Sequence, residues 1–312
     1  MAAAEIENKT AVGMSLTSDI KGKIIEYMWN LKKQGLAEAT ILSYGQILKQ
    51  LTKEGADLYN PESIKETIAK LTCSNARKSN MVKAYTLWLN IHGLTWNPPK
   101  YKPIEKLPFI PLEKELDDLI AGCSKQLATF LQLLKETGVR RGEALKLKWT
   151  DIDFATNTIR ITPEKGSNPR IFKISETLRA MLESLPRKQL KVFNYKNAFY
   201  LAKTFIKQRR RIAHKLGNPR LLQIHFHTFR HWKATMIAIQ TNGNVLNVMT
   251  FLGHKNIQNT MKYIHLAEII SGRSGEYICS IAKTLDDAKK LIEKGFEYVC
   301  EMDGAKLFRK RK

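Results

Sequence analysis

Residues 225–265 read HFHTFRHWKATMIAIQTNGNVLNVMTFLGHKNIQNTMKYIH. Three short groups punctuate this run: His227-Thr228-Phe229-Arg230, Leu252-Gly253-His254, and Tyr263, nine residues beyond His254. A histidine and an arginine three apart share one face of a helix, and a glycine before His254 marks a turn. The apolar spacing around these groups predicts helices near 228–241 and 244–252. The run holds no Asp or Glu, and that gap extends from Ser184 to Ala267, while Lys and Arg recur throughout it. Such a stretch cannot balance its charge by internal ion pairs. Its field must meet an external anion, for which a phosphate backbone is the obvious partner. Phe193, Tyr195, Phe199, Tyr200 and Phe205 lie at helix-like spacing within the gap and are expected in the core.

The rest of the chain sets the frame. Its 312 residues carry 52 Lys/Arg against 29 Asp/Glu, a net +23. The first hundred residues contribute 13 basic against 9 acidic, so the excess is concentrated later. The length suits two domains. With 43% apolar and 26% charged residues the composition is globular, not disordered or collagenous. No apolar run is long enough to span a membrane, and MAAAEIENKT at the start lacks a secretory core. Cys73, Cys123, Cys279 and Cys300 are far apart, which excludes a zinc ribbon or disulfide framework and fits a reducing cytosol.

Ser18-Asp19 is expected to cap a first helix carrying Ile24, Ile25, Met28, Trp29 and Leu31 as far as Gly35. A second has Ile41, Leu42, Tyr44, Ile47, Leu48 and Leu51 on one side. Asn60-Pro61 starts a third, with proline where its missing N–H is harmless, and a fourth ends at Gly93. Pro98, Pro99, Pro103, Pro108 and Pro111 then exclude helix or central strand, predicting an extended linker. Further helices are expected at about 112–121 and 126–137, from Arg141, and near 175–185 and 195–213. Thr158–Thr162 and Arg170–Ile174 alternate as short strands about a turn at 164–169. The C-terminal segment, 271–312, reads as a β-α-β-β appendage with a hairpin turn at Asp303-Gly304.

Several chemistries are missing. There is no G-x-x-x-x-G-K-[ST] loop, no G-x-G-x-x-G and no H-E-x-x-H. His225, His227 and His231 suggest a metal, but no Cys or carboxylate joins them nearby, so no metal site is expected. What remains fits phosphate. Thr137-Gly138-Val139-Arg140-Arg141-Gly142-Glu143 places an arginine at a turn before a helix, and Glu143, one helical turn on, favours Arg140 over Arg141. Lys165 lies on the turn between two strands, with Lys173 as a competitor. Tyr277 and Tyr298 compete with Tyr263, but both fall in the strand-like tail. His231 reads as structural.

The ordered series T-G-x-R-x-x-E, hairpin Lys, H-x-x-R-H, L-G-H and a tyrosine nine residues on resembles the tyrosine recombinase (integrase) superfamily over about 111–265, with a texture closest to archaeal-type integrases. The resemblance implies a mainly α fold with a small β-sheet, built as a two-domain DNA clamp. In that scheme, residues 1–15 are a tail, 16–95 a helical core-binding (SAM-like) domain, 96–111 a linker, 112–270 the catalytic domain and 271–312 the appendage. It implies a site-specific recombinase in which Tyr263 attacks a phosphodiester and leaves a 3′-phosphotyrosyl bond, needing neither ATP nor metal nor any other cofactor. Arg140 and Arg230 would clamp the non-bridging oxygens, Lys165 would protonate the leaving oxygen, and His227 would assist proton transfer. His254 would hydrogen-bond a phosphate oxygen, and Glu143 would orient Arg140. Lys203, Lys207, Arg209, Arg210 and Arg211 would contact double-stranded DNA. Four protomers on two sites would exchange strands through a Holliday junction, the segment after Tyr263 docking between them. With only a short tail ahead of the first helix, no separate arm-site-binding domain is expected. A cytoplasmic, nucleoid-associated protein follows. A type IB topoisomerase-like relaxing enzyme and a DNA-binding protein that does not cleave stay open as alternatives.

Overall fold

A computed structural model of the chain describes residues 19–164, 166–271, 277–302 and 305–311. Ser18, Lys165 and the Asp303-Gly304 turn, each singled out above, lie outside the described residues. The chain divides into two compact units, Met1–Lys106 and Leu107–Lys312. The break falls within residues 94–112, which carry neither helix nor strand, as the density of prolines requires.

Among the described residues, the first unit holds four helices: α1 (19–33), α2 (Glu38–Lys53), α3 (Pro61–Lys70) and α4 (Asn75–Ile91). Asn60 caps α3 by accepting the Glu62 and Ser63 N–H groups, with Pro61 in the first turn. Ser74 caps α4 through the Arg77 N–H. The core gathers Ile24, Tyr27 and Leu31 of α1 with Ile47, Leu48 and Leu51 of α2 and Tyr85 and Trp88 of α4. The last two close their polar ends on one acceptor, the Leu58 carbonyl, each at 3.1 Å. Leu42, read on the apolar side of the second helix, is exposed, as are Ile25 and Trp29 of the first. The apolar residues of α1 and α2 spread over more than one helical face. The stripe through 24, 27 and 31, and its partner on α2, is fully buried, with Ile20 and Met28 packing at its edge.

The second unit begins with α5 (Glu113–Ala121), α6 (Lys125–Thr137) and α7 (Arg141–Lys146). An antiparallel sheet in the order β1 (Ile152–Asp153), β2 (Thr158–Ile161), β3 (Arg170–Lys173) follows. Ile159 pairs with Phe172 and Ile161 with Arg170. The two-residue β1 is too short to leave an alternating pattern, and the sequence did not predict it. Then come α8 (Glu176–Glu183), α9 (Ala198–Lys215), α10 (Phe226–Gln240), α11 (Val245–Leu252) and α12 (Gln258–Ile270). Helix α10 packs against α6, α11 and α12 and is the axis of the unit. Helix α12 was not predicted either, because its apolar residues run all round it: Ile264, Leu266 and Ala267 are buried, while Met261, Ile269 and Ile270 are exposed. Among the aromatics of the acid-free stretch, Phe193 and Phe205 are core, but Phe199 and Tyr200 at the start of α9 are exposed. They point away from the stripe through Leu201, Phe205 and Ile212 that α9 buries.

The chain ends in β4 (Tyr277–Ala282), α13 (Leu285–Glu293), β5 (Glu297–Met302) and β6 (Ala305–Arg311), with sheet order β4-β6-β5. Ala282, Ala288 and Phe308 form a separate small core. Among the described residues, no helix is long and apolar enough to cross a membrane.

Candidate active site

The site is assembled from two left-handed glycine turns and the two helices they aim. Helix α6 ends at Thr137, and Gly138 closes it with φ 60°. A Cβ at Gly138 would meet the Lys233 Cβ at an ordinary contact distance of 3.4 Å, so it is the left-handed backbone angle that calls for glycine here. The turn leaves the Gly138 carbonyl facing α10, where it accepts a hydrogen bond from Arg230 Nη1 at 2.8 Å. Two residues on, Arg140 occupies the N-cap position of α7. Its N–H donates to Glu143 Oε2 at 2.9 Å, and its guanidinium lies 3.2 Å from Glu143 Oε1.

The second turn is Gly253, which ends α11 with φ 67°. A Cβ there would come within 3.0 Å of Arg170 Cδ and of the Asn168 carbonyl. The turn presents the Leu252 carbonyl and the His254 ring to the same point. Leu252 O accepts from Arg230 Nη2 and from Arg170 Nη1, both at 2.8 Å. His254 Nε2 accepts from Arg230 Nη2 at 2.9 Å. The remaining proton of the neutral ring is therefore on Nδ1, which donates to Thr260 Oγ1 at 2.9 Å.

Charge here is unbalanced. Glu143, 2% exposed, pairs with both Arg140 and Arg170, the latter at 2.7 Å, and accepts from Ser167 Oγ at 3.1 Å. Burial works to raise its pKa, but the Arg140 N–H and the Arg170 guanidinium outweigh that and hold it below the usual carboxylate range. Arg230 is 1% exposed, and its three bonds go to two carbonyls and a neutral imidazole. Burial, then the neighbouring Arg140, pushes its pKa down to about 10, so it stays charged at neutral pH. Among the described residues Glu143 thus pairs with Arg140 and Arg170 while Arg230 meets no carboxylate, an arrangement that favours an incoming anion.

Tyr263 on α12 is 1% exposed. Its ring lies nearly parallel to His254, centroids 6.4 Å apart. Its hydroxyl is 3.0 Å from His231 Nδ1. Burial raises the phenol to about 12, against the pull of Arg230 and Arg140. Both histidines are held neutral: His254 falls to about 4 and His231 to about 3, in each case first by burial and then by neighbouring positive groups.

Of the residues singled out from sequence, Arg140, Glu143, Arg230, His254 and Tyr263 are thus linked by contacts or short chains of contacts. His227 is exposed and, with Arg140, Arg141, Glu164, Phe205 and His225, lines a groove of about 550 Å³. Its ring is 4.5 Å from His231. Lys203, Lys207, Arg210 and Arg211 of α9 are exposed, Arg211 donating to the Gly122 carbonyl at 2.8 Å. Arg209 is a correction: it is 7% exposed and donates to the Ile224 carbonyl, so its guanidinium is used inside the protein. His231, read as structural, is hydrogen-bonded to the Tyr263 hydroxyl and so lies beside the candidate nucleophile. Arg170 and Thr260 were missed. Arg170 left a signal, because it occupies the inward phase of β3 shared with Phe172 while Ile171 is exposed. A charge on the buried phase of a strand needs a partner.

The model of the phage integrase family matches residues 112–268, and the chain belongs to that family, the tyrosine recombinases. The chain is 26% identical over 209 residues to "Tyrosine recombinase XerA" of Saccharolobus solfataricus, an alignment covering 65% of this chain and 66% of that protein, just under two thirds of each. It is 26% identical over 215 residues to "Tyrosine recombinase XerC" of Staphylococcus aureus, covering 64% and 72%. Among solved structures, the fold is similar to the Tn1549 transposon integrase in complex with transposon right end DNA, with a TM-score of 0.60 at 16% identity over 81% of this chain and 97% of that one. It is also similar to a lambda integrase tetramer bound to a Holliday junction, with a TM-score of 0.55 at 14% identity over 80% of each.

Proposed function

We propose that this protein is a site-specific DNA recombinase that cuts and rejoins duplex DNA through Tyr263. The observation that carries the reading is the convergence of Arg230, His254 and Tyr263, each from a different element, beside Arg140 and Glu143. Arg140 and Arg230 grip the non-bridging oxygens of the scissile phosphate, where charge accumulates as phosphorus becomes five-coordinate. His254, with both nitrogens occupied, fixes Arg230 and packs the nucleophile's ring. Glu143 orients Arg140. Lys165 protonates the departing 5′-oxygen, and His227, on the groove wall, assists proton transfer there. The bond energy is stored in the phosphotyrosyl link, so rejoining consumes no nucleotide.

The helical unit ending at Lys106 serves as the other half of a clamp on DNA, and the exposed cations of α9 contact the phosphate backbone. Self-association on DNA follows from the same reading, as does action inside the cell, where the DNA is. Titrating the full chain with nicked suicide duplexes built from the DNA flanking its gene tests the proposal. A covalent adduct that Tyr263→Phe abolishes, without loss of binding, supports it. Relaxation of a supercoiled plasmid that lacks any site would instead favour a topoisomerase.

A further inference from the structure

A phenol at neutral pH must lose its proton as it attacks, and burial makes that harder for Tyr263, whose pKa rises to about 12. The groups around the hydroxyl differ sharply in their ability to take that proton. Arg140, Arg230 and Lys262 are cations and offer no lone pair. His254 has its Nε2 lone pair on Arg230 and its Nδ1 proton on Thr260. His227, the histidine three residues before Arg230, opens onto the groove. The Tyr263 hydroxyl is hydrogen-bonded to His231 Nδ1, at 3.0 Å. Phenol is the better donor and neutral imidazole the better acceptor, so the O–H donates to Nδ1.

We propose that His231 is the proton acceptor for Tyr263, a catalytic residue for DNA cleavage that touches the attacking oxygen itself. The inference rests on the recombinase reading above. As the Tyr263 Oη–phosphorus bond forms and the phosphorus–O5′ bond breaks, the phenol proton passes to His231 Nδ1. O5′ takes its proton from the general acid on the opposite side. Resealing by the 5′-hydroxyl returns the proton from Nδ1 to the departing phenol oxygen. The position suits the task, because His231 follows Arg230 on α10. The same turn of helix therefore holds both a phosphate-binding guanidinium and the nucleophile's acceptor. His227 and Arg230 on α10, Lys262 on α12, Arg140 after α6 and His254 after α11 are the titratable or charged groups around this pair. Burial first, then His227, Lys262 and Arg230, keep the imidazole unprotonated at working pH, with its lone pair available to the phenol. A bound phosphodiester supplies the negative charge that offsets them as imidazolium forms.

The test is single-turnover cleavage by the full chain between about pH 6 and 10, on the suicide duplex described above and on a version with sulfur in place of the bridging 5′-oxygen. His231→Phe is expected to slow cleavage about 10²- to 10³-fold at neutral pH. Its rate should then climb about tenfold per pH unit as hydroxide replaces the missing base, where the wild-type rate is nearly flat. The sulfur substrate, whose leaving group needs no acid, should not restore the variant, because the defect lies on the nucleophile's side. His231→Asn, whose amide can hold the phenol but cannot take its proton, should bind DNA normally and remain as slow. Cleavage by either variant within about threefold of wild type with an unchanged pH profile would overturn the assignment, as would rescue by sulfur. Absence of any adduct with the wild-type chain is a different result and removes the recombinase reading along with this one.

Discussion

Replacing Arg230 by lysine keeps the charge and should still disable the protein. The guanidinium donates to the Gly138 carbonyl, the Leu252 carbonyl and His254 Nε2 at 2.8, 2.8 and 2.9 Å, using both terminal nitrogens. A lysine ammonium offers its donors from one point and can serve only one of these directions. At least two charge-assisted bonds are lost, each worth about 1.5–3 kcal/mol. The Leu252 carbonyl keeps Arg170 as a donor at 2.8 Å, so one loss leaves no orphaned acceptor. The expected penalty is therefore near the lower end, about 3 kcal/mol of folding stability. Catalysis should fall further, because removing one preorganised donor to a developing oxyanion costs about 10²- to 10³-fold. Urea denaturation measures the first quantity and single-turnover adduct formation on the suicide duplex the second. If Arg230→Lys cleaves within tenfold of wild type and unfolds at the same urea concentration, Arg230 is neither the hub of this network nor a phosphate clamp.

Three further outcomes follow from the charges. His254 titrates near 4 in the folded chain and near 6.5 when unfolded, so below pH 6.5 the unfolded chain takes up the proton first. Stability is complete above about pH 7 and declines as pH falls through 6.5 towards 4, by about 3 kcal/mol for this group. His231 acts in the same direction. Thermal melts at pH 7 and 5 should show the decline, and His254→Gln should make it shallower, leaving the share due to His231; identical slopes would refute the burial argument. On α9, changing Lys203, Lys207 and Arg210 to glutamine should lower the slope of log affinity against log salt by roughly 0.9 for each phosphate no longer neutralised, measured by fluorescence anisotropy on duplex DNA. Arg209→Gln should reduce stability and leave that slope unchanged, and a slope change there would contradict its burial.

Much of this molecule is written locally. Asn60-Pro61, the glycines at 138 and 253 and the proline cluster act on their own backbone, so a linear reading finds where elements start and stop. The acid-free stretch and the spacing of Arg140, Glu143, Arg230, His254 and Tyr263 likewise need no coordinates to be noticed. What the linear order could not supply were relations between residues distant in sequence. Arg170 is remote along the chain from both Glu143 and Leu252, yet it joins them. His231 meets Tyr263 from another helix, because α10 and α12 pack side by side. The same holds for burial on a helix with apolar residues on every face. Tyr263 and Ile264 are inside and Met261 outside only because α12 leans on α10, and no period in the sequence encodes which side that is. Arg209 and Arg210 are adjacent and chemically identical, yet one is sealed against the Ile224 carbonyl and the other faces solvent. Residue type and spacing determine what a side chain can do, while packing decides which partner it meets and whether water reaches it.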